Sequence, residues 1–563
     1  MTLNQLKIRL QDVVAETLGT GLDLAVMSVG PAADPKFGDY STNAAMVYAK
    51  AVGRAPREVA EELAAALKAA APEVAQAEVA GPGFLNITLT DSAMAASAQA
   101  AVGAQYAQYA SQEVVTEFSD PNPFKVLHVG HLYTTVVGDA ISNLVRLAGG
   151  NVHAVNFGGD VGLHVAKTMW AILDDLGGAH PGRLDDIEPA KRSEWMAECY
   201  VRGTAAYEDD AAATAEIKQL NSQVYRIHAE NDHESEVAKI YWTCRQWSYD
   251  YFDAFYARIG AKFEKYYPES QTAPLGLETV KAQLEQGVYK ESDGAVVFEG
   301  EEHGLHTRVF ISSQGLPTYE AKDVGLLMAK WRDYAFDRSI VITGNDIIEY
   351  MKVVLKSVEQ FAPELAERTV HLTHGNVKLA GGTKMSSRKG NFLRAVDVLD
   401  LARDANVAAG GNDDERVVLG AVKYSFLKQR IGTDLIFIPE ESVSLEGNSG
   451  PYLQYAHARA RSILAKTTGS THNMLDELDP AERTLAAKIA EYPDVVARSI
   501  EELMPHYLCT YLYDLAQVFN RFYEVSRVIG DEREGQRLRL VELYADVLRQ
   551  GLELLGIEAP ERL

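Results

Sequence analysis

The sequence of 563 residues contains few cysteines and no long apolar run. Its three cysteines, Cys199, Cys244 and Cys509, lie far apart and lack the paired spacing typical of metal ligands. We therefore expect no structural zinc, and we expect a protein of the reducing cytoplasm rather than a disulfide scaffold. No stretch of about 18 uncharged apolar residues occurs, and charged residues interrupt the amphipathic N-terminal segment. The sequence therefore predicts neither an export signal nor a membrane-spanning helix.

Positive charge is also scarce. The chain has 54 Lys and Arg residues against 79 Asp and Glu residues, and its formal net charge is −25. Binding of nucleic acid phosphates requires local clusters of Lys and Arg, so the total charge is only a weak argument against such a partner. The acidic residues are concentrated in runs such as 208–210 and 413–415, which are typical of a solvated surface. Basic faces elsewhere remain compatible with a nucleic acid partner.

The hydrophobic pattern predicts an α/β protein of three domains. Residues 1–110 indicate a small α/β domain. In residues 111–395, β-rich runs such as VVTEF, HAVNF, SIVITG and TVHLTHG alternate with helices, which predicts a doubly wound, Rossmann-like parallel sheet. An acidic helical stretch at about 170–265 interrupts this domain as an insertion. Residues 396–563 are predicted to form a connecting segment and then, from about 415, a helical bundle.

The first motif that suggests chemistry is HVGH, which follows the strand-like VVTEF and begins a helix. A strand-to-helix turn directs free backbone N–H groups and the positive helix end toward an anion, and Gly130 permits close approach of a nucleotide. His128 and His131 could donate hydrogen bonds to phosphate oxygens as charge develops on them. Alone, the motif is a weak signal, because histidines at a helix start can simply cap the helix.

The second motif is KMSSRKGN at residues 384–391, which follows a strand-like run and a flexible AGG. A loop carrying Lys384, Arg388 and Lys389 can close over a triphosphate and neutralise the departing pyrophosphate. Taken alone, the loop could equally be an ordinary basic surface loop.

Together, the two motifs resemble the HIGH and KMSKS signatures of class I aminoacyl-tRNA synthetases. EFSDPNPFKVLHVGHL resembles the arginyl-tRNA synthetase form of the first signature, GDVG at 159–162 resembles its GDWG, and LPTYEAKDVGL at 316–326 resembles its tyrosine–aspartate segment. GDYSTNAAM and GPGFLNITL resemble the N-terminal domain of that family, and GNSGPYLQYAHARARSIL resembles its anticodon-binding domain. The resemblance covers nearly the whole chain and is weak only at about 170–310.

The resemblance implies an enzyme that activates L-arginine with ATP to arginyl-adenylate and transfers it to the 3′ end of tRNA(Arg), releasing AMP and pyrophosphate. It implies ATP bound as its Mg²⁺ complex and no protein-bound zinc. The N-terminal domain is expected to contact the tRNA elbow. We further expect a cytoplasmic monomer without a membrane partner.

The resemblance also implies the residues of the site. A planar guanidinium with five donors requires carboxylates and a tyrosine oxygen at fixed positions. The residues expected in the arginine pocket are Glu117, Asn122, His131, Tyr319 and Asp323. The residues expected on the ATP side are His128, Gly130, His131, Gly159, Asp160, Lys384, Met385, Ser386, Arg388 and Lys389. Of these, His128, His131 and Lys384 are the expected catalytic residues.

Three positions depart from the family pattern. Tyr133 replaces the arginine that usually follows HVGHL, Asp346 stands where many relatives have glutamine, and Ser387 replaces the second lysine of the KMSKS signature. The role of that lysine could pass to Arg388 or Lys389.

In the predicted helical bundle, aromatic and basic residues occur together in one segment. Such residues are suited to stacking bases and holding phosphates, and the candidate tRNA-binding residues are Tyr452, Tyr455, Arg459 and Arg461. Most aromatic residues in such helices pack in the core, so the assignment applies to the domain rather than to individual contacts.

Two other classes of protein fit part of the pattern. A different HxGH nucleotidylyl-transfer enzyme would need neither the tRNA-binding domains nor the arginyl-type pocket. A catalytically inactive, tRNA-binding paralogue would normally have lost HVGH or the lysine loop, and both motifs are intact here.

Overall fold

The computed structural model describes residues 1–32, 34–379, 393–467 and 477–563. These residues form two compact units. Unit 1 contains residues 1–106, 451–554 and 558–563, and unit 2 contains residues 107–450 and 555–557. The predicted domain limits at 110 and 395 stay predictions.

Unit 1 begins with a small α/β module. Its elements are α1 (Leu3–Leu18), β1 (Val29–Pro31), β2 (Tyr40–Thr42), α2 (Ala44–Ala49), α3 (Pro56–Ala70), β3 (Val74–Ala80), β4 (Phe84–Leu89) and α4 (Asp91–Ala101). The strands pair antiparallel in the order β1-β2-β4-β3. Leu85, Ile87 and Leu89 alternate along β4 and are buried, because successive side chains of a strand point to opposite faces.

Unit 2 contains the larger number of elements. They are β5 (Glu113–Glu117), α5 (Val129–Leu147), β6 (Asn151–Gly158), α6 (Leu163–Asp175), α7 (Arg192–Asp209), α8 (Ala211–Ala229), α9 (Glu236–Ile259), β7 (Lys265–Pro268), α10 (Glu269–Glu285), β8 (Lys290–Ser292), β9 (Ala295–Phe298), β10 (Arg308–Ile311), α11 (Tyr319–Tyr334), β11 (Arg338–Gly344), α12 (Ile348–Glu359), α13 (Pro363–Arg368), β12 (Thr369–His374), β13 (Val377–Leu379), α14 (Ala395–Ala408), α15 (Glu415–Leu427), β14 (Leu435–Phe437) and α16 (Pro439–Ser442).

A five-stranded sheet in the order β12-β11-β5-β6-β7 organises unit 2. All four pairings are parallel, so the predicted doubly wound sheet is confirmed. The chain starts at the centre with β5, proceeds outward through β6 and β7, and then crosses to β11 on the other side of β5. Ligands of open α/β sheets bind at the carboxyl ends of the strands where the direction of winding reverses, which is here between β5 and β11.

Six shorter strands of unit 2 were not predicted. They are β7, the antiparallel sheet β10-β9-β8 and the parallel pair β13-β14. Each has only three or four residues, which is too few to show a periodic pattern. Strand β14 also corrects the expectation that the chain is helical throughout after about residue 415.

The helices α7, α8 and α9 lie between β6 and β7, within the stretch predicted as a helical insertion. Val224, Tyr241 and Cys244 of these helices belong to a core that also contains Val165 and Met169 of α6. The inserted helices therefore pack on the helix that directly follows β6.

Helices α10 and α11 pack with their backbones in contact. A Cβ atom on Gly276 would lie 1.9 Å from the carbonyl oxygen of Ala321, and one on Gly325 would lie 2.1 Å from that of Thr272. Only glycine permits this approach. It brings α10 close to the start of α11, which carries the candidate site residues Tyr319 and Asp323.

Unit 1 is completed by α17 (Gly450–Leu464), α18 (Pro480–Ala490), α19 (Tyr492–Glu502), α20 (His506–Val525) and α21 (Glu534–Leu554). Helix α18 packs against α4, and Arg483 of α18 forms ion pairs with Asp39 and Asp91 of the N-terminal module. The C-terminal helices and the module therefore share one compact unit. Within the described ranges, no helix combines the length and apolar character needed to span a membrane.

Candidate active site

The candidate site lies at the carboxyl ends of the central strands. Glu117 is the last residue of β5, Gly158 ends β6 and Gly344 ends β11. The register places Glu117 beside Val155 of β6 and Val341 of β11. The segments that carry the HVGH and GDVG motifs follow β5 and β6 at this edge.

The two histidines of HVGH form the N-terminal cap of α5. The His128 N–H donates to Nδ1 of His131 at 3.1 Å, and the Gly130 N–H donates to Nδ1 of His128 at 3.1 Å. The two rings stack with their centroids 3.7 Å apart. The N–H of Gly130 is thus occupied within the cap.

Both histidines present Nε2 as their hydrogen-bond donor. Burial lowers the pKa of His128 to about 4 and holds the pKa of His131 well below its ordinary value, so both rings are neutral at pH 7. A neutral imidazole carries one proton, and Nδ1 of each ring accepts a backbone N–H. The proton therefore resides on Nε2, which makes no hydrogen bond to another described residue.

Tyr133 packs in the interior of unit 2. Its side chain is buried, and its ring lies 4.4 Å from His374 and 5.2 Å from Phe426, measured between centroids. Burial raises the pKa of Tyr133 to about 12. The residue therefore fills the core of unit 2 at the position where an arginine is usual. Asp346, the second departure, is exposed.

Residues 159–162, here called the GDVG loop, are held from several sides. The Gly159 N–H donates to Oδ1 of Asn122 at 2.7 Å, and the carbonyl oxygen of Gly159 accepts from Nε2 of His164 at 2.7 Å. A Cβ atom on Gly159 would lie 2.7 Å from Oδ1 of Asn122, so no side chain fits there. The side chain of Asn122 therefore positions this loop.

Asp160 is fully buried and its carboxylate is saturated by protein donors. The oxygen Oδ1 accepts from the Ser270 N–H at 2.8 Å, and Oδ2 accepts from Oγ of Ser270 at 2.7 Å and from Nε of Arg245 at 2.9 Å. The carboxylate therefore fixes the loop and leaves little capacity for a ligand.

Glu117 and Lys330 form a buried ion pair. Both residues are at most 3% exposed, and Nζ of Lys330 donates to Oε2 of Glu117 and, at 3.1 Å, to Oγ of Ser339. A charge pair that is removed from water requires such additional hydrogen bonds. Glu117 therefore already has a cationic partner within the protein.

Asp323 is bound differently. Its Oδ2 accepts a hydrogen bond from the hydroxyl of Tyr350, and no Lys or Arg of the described ranges lies within ion-pair distance of it. Removal from water and the nearby charge of Glu117 raise the pKa of Asp323 to about 7. A cavity of about 20 Å³ bordered by Glu117, Asp323 and Lys330 has room for about one water molecule. A guanidinium between the two carboxyl groups therefore requires side-chain movement.

Tyr319 and Lys322 lie in the first turn of the same helix. Tyr319 is 59% exposed, and the ammonium group of Lys322 lies 5.0 Å from its ring centroid. Lys322 forms a buried ion pair with Glu269 at 2.6 Å. The phenol of Tyr319 thus borders solvent, while the carboxylate of Glu269, like that of Glu117, is paired with a lysine.

The described chain resumes at Leu393, directly beside the histidine motif. The Val129 N–H donates to the carbonyl oxygen of Leu393 at 2.9 Å, and the Ala395 N–H donates to that of Leu127 at 2.9 Å. The remaining ATP-side candidates lie outside the described residues. They are Lys384, Met385, Ser386, Arg388 and Lys389, together with the departure at Ser387.

The four candidate tRNA-binding residues of α17 differ in their surroundings. Tyr455 is 50% exposed. The hydroxyl of Tyr452 accepts from Nδ2 of Asn520 at 2.8 Å, and the guanidinium of Arg459 lies 4.5 Å from the ring centroid of Tyr523. Arg461 pairs with Glu561 at 3.1 Å.

Family models match the chain along most of its length. The model described as arginyl tRNA synthetase N terminal domain matches residues 4–89, that described as tRNA synthetases class I (R), catalytic domain, matches residues 95–438, and that described as DALR anticodon binding domain matches residues 453–563. The chain belongs to the arginyl-tRNA synthetases. It is therefore an arginine–tRNA ligase of class I, as the sequence motifs predict.

Individual relatives agree with this assignment. An arginine–tRNA ligase of Porphyromonas gingivalis is 30% identical over 94% of each chain, and one of Phocaeicola vulgatus is 29% identical over 94% of each chain. The solved structure of Thermus thermophilus arginyl-tRNA synthetase superposes with a TM-score of 0.80 at 26% identity and covers 100% of both chains.

Several residues that contact the candidate site of this synthetase were not predicted from the sequence. They include Lys330, Tyr350 and Arg245. Lys330 follows Asp323 by seven positions and so lies on the same helix face, which is a usable but weak signal. Arg245 lies in the inserted helices, where the resemblance to the family is weakest.

No group of three or more His, Cys, Asp or Glu side chains in the described ranges is arranged to hold a metal ion.

Proposed function

We propose that this ligase selects arginine through Asp323 and activates it with ATP, bound as its Mg²⁺ complex, beside His128 and His131. The observation that carries this proposal is the unusual pairing of Asp323. The carboxylates of Glu117, Glu269 and Asp160 each have a lysine or arginine partner, whereas Asp323 is bound by a hydroxyl group. A cationic substrate side chain can supply the missing charge.

In the first step, an oxygen of the arginine carboxylate attacks the α-phosphorus of ATP, the bond to the β-phosphate bridging oxygen breaks, and pyrophosphate leaves. The neutral His128 and His131 rings direct their Nε2–H donors to the phosphate oxygens on which charge increases. Their lowered pKa values keep the rings neutral, so they stabilise this charge by hydrogen bonding rather than as cations.

In the second step, a hydroxyl of the terminal tRNA nucleotide attacks the carbonyl carbon of the adenylate, and AMP leaves. We assign pyrophosphate neutralisation to the loop that contains Lys384, Met385, Ser386, Arg388 and Lys389. The position of Leu393 supports this assignment, because the described chain that follows the loop resumes next to the two histidines.

On the arginine side, Asp323 receives the guanidinium and Tyr319 lies at the solvent border of the pocket. Glu117 acts indirectly, because Lys330 already neutralises it. Gly159 and Asp160 shape the nucleotide side through backbone geometry rather than through free donors. Asn122 contributes by holding the Gly159 N–H.

For tRNA, we propose that unit 1 supplies the docking face. Tyr452, Tyr455 and Arg459 of α17 offer aromatic and basic groups suited to unpaired bases and phosphates. Arg461 would first have to leave Glu561. Phosphate contacts release counterions, so tRNA affinity should fall as salt is added.

An aminoacylation assay tests the proposed reaction. Labelled arginine, ATP, Mg²⁺ and total tRNA should yield arginyl-tRNA, AMP and pyrophosphate, and omission of tRNA should also reduce pyrophosphate exchange, as is usual in this family. Citrulline serves as the matched control because it replaces the guanidinium by a neutral urea. Charging of another amino acid, or of citrulline at a similar rate, would contradict the proposal.

We also propose that the enzyme works as a cytoplasmic monomer. Sedimentation equilibrium over a range of protein concentrations should give the mass of one chain, 61.7 kDa. A concentration-dependent rise to twice this mass would contradict the monomer.

A further inference from the structure

The inserted helices contact the GDVG loop through Arg245, which is partly buried. Nε of Arg245 donates to Oδ2 of Asp160 at 2.9 Å, and the carboxylate of Asp160 is 0% exposed. Arg245 lies in the middle of α9, so this contact joins the inserted helices to the loop that follows β6. The two residues are separated by 85 positions in the sequence.

A second contact from the insertion holds the backbone of the same loop. The hydroxyl of Tyr241 donates to the carbonyl oxygen of Asp160 at 2.8 Å. The hydroxyl also lies 2.7 Å from Nε2 of His228, which must be the donor there because the tyrosine proton is already used. Tyr241 and Arg245 are four residues apart, so they lie on one face of α9.

The guanidinium of Arg245 is itself fixed in orientation. It lies 4.8 Å from the ring centroid of Tyr249 and 5.4 Å from that of Trp242. Its side chain is 18% exposed. Aromatic rings hold the plane of a guanidinium, and this reduces the rotational freedom lost when its hydrogen bonds form. The arginine is therefore held in place by its own helix before it contacts Asp160.

We propose that Arg245 is a positioning residue for the nucleotide side of the active site, and that the inserted helices hold the GDVG loop in its binding conformation through Arg245 and Tyr241. The proposal rests on the proposed function in one respect, the assignment of this loop to ATP. Arg245 touches neither substrate. Its effect is transmitted through Asp160, whose position fixes the backbone of Gly159 and the start of α6.

The test compares Arg245→Met with a control from the same insertion. Arg202→Met also removes an arginine that is paired with an aspartate, Asp175 at 2.6 Å, but that pair does not touch the loop. Pyrophosphate exchange in the presence of tRNA gives KM for ATP and for arginine separately. Arg245→Met should raise KM for ATP by about tenfold or more, as is usual when a supporting partner of a site residue is lost, with a much smaller change for arginine.

Two further variants keep the result interpretable if Arg245→Met is poorly folded. Arg245→Lys retains the positive charge and should recover part of the ATP affinity. The double variant Arg245→Met with Asp160→Asn leaves no buried charge unpaired, so this protein should be more stable than Arg245→Met. Its KM for ATP should stay raised, because the loop is still not held. If the loss of ATP affinity in the double variant equalled the sum of the losses in Arg245→Met and Asp160→Asn, the two residues would act separately. The proposal would then be wrong.

Hydrogen exchange supplies a readout that does not depend on activity. Amides of residues 156–163 should exchange faster in Arg245→Met than in the wild type, and should be unchanged in Arg202→Met. Unaltered exchange together with an unaltered KM for ATP would overturn the positioning role. A wild-type enzyme that fails to charge arginine would instead contradict the proposed function, and the exchange comparison would still decide the role of Arg245.

Discussion

The histidine end and the carboxylate end of the active site lie at the same edge of the sheet but differ in charge. His128 and His131 are neutral and present N–H donors. At the other end, Glu117 and Glu269 are neutralised by lysines, and Asp323 has no described cationic partner. The difference matches the two substrates, because a polyphosphate needs donors and a guanidinium needs an acceptor. This difference is consistent with the proposal that the phosphates of ATP bind at the histidine end and the arginine side chain at the carboxylate end.

The largest expected effect concerns Asp323, the proposed acceptor for the guanidinium. Asp323→Asn should lower the preference for arginine over citrulline by about 10²–10⁴, because a charged partner is lost from a site removed from water. The measurement is kcat/KM for both amino acids. Asp333→Asn is the matched control, since Asp333 lies on the same helix and pairs with Lys265 instead. An unchanged ratio in Asp323→Asn would place Asp323 outside the arginine pocket.

A second test separates the paired carboxylate from the unpaired one. Lys330→Met leaves the charge of Glu117 buried and alone, and should lower the free energy of unfolding by about 3–5 kcal/mol. The double variant Lys330→Met with Glu117→Gln should recover most of this loss. Urea denaturation measures both. If the single variant were as stable as an exposed control such as Lys352→Met, the ion pair would not be holding the site.

At the donor end, His128→Ala and His131→Ala should each reduce turnover by about 10² or more, the usual effect of removing a preorganised donor to transition-state charge. His128→Asn retains an N–H donor and should recover part of the loss. His371→Ala is the control, because His371 is also held neutral by burial but bonds Thr343. If turnover were unchanged in both alanine variants, the two histidines would serve only to cap the helix.

The smallest expected effect is a pH dependence of KM for arginine, which should arise from Asp323. The pKa of Asp323 is raised to about 7, and the guanidinium binds the ionised form. KM for arginine should therefore fall roughly tenfold between pH 6 and pH 8, in proportion to the fraction ionised. Asp323→Asn should abolish this trend. A flat profile in the wild type would show that Asp323 is already ionised at pH 6.

The fold of this synthetase was predictable where strands and helices are long. VVTEF, HAVNF and SIVITG are hydrophobic runs of the kind that parallel sheets bury on both faces. These three strands and the β-rich TVHLTHG are present as predicted. The strand KYYP was not predictable, because four residues that include a proline lack a periodic signal. The short strands of the β10-β9-β8 sheet escaped for the same reason.

The candidate site was predictable as a set of residue types but not as a set of pairings. Glu117 was assigned to arginine from the resemblance, yet its partner Lys330 lies 213 positions away, and no local pattern connects the two. Asp160 was assigned to ATP, and the structure occupies its carboxylate with Arg245 and Ser270. Ion pairs between such distant residues depend on the tertiary fold, so the spacing of residues in the sequence does not predict them.

The central position of β5 has a consequence for synthesis of the chain on the ribosome. Val114 of β5 pairs with Arg338 of β11, and the two positions are separated by 338 − 114 = 224 residues. At a synthesis rate of about 5–20 residues per second, about 10–45 s pass between the synthesis of β5 and that of its partner strand β11. During this interval a hydrophobic edge strand is open to pairing with other chains. The edge of β5 should therefore need protection from other chains until β11 has been synthesised.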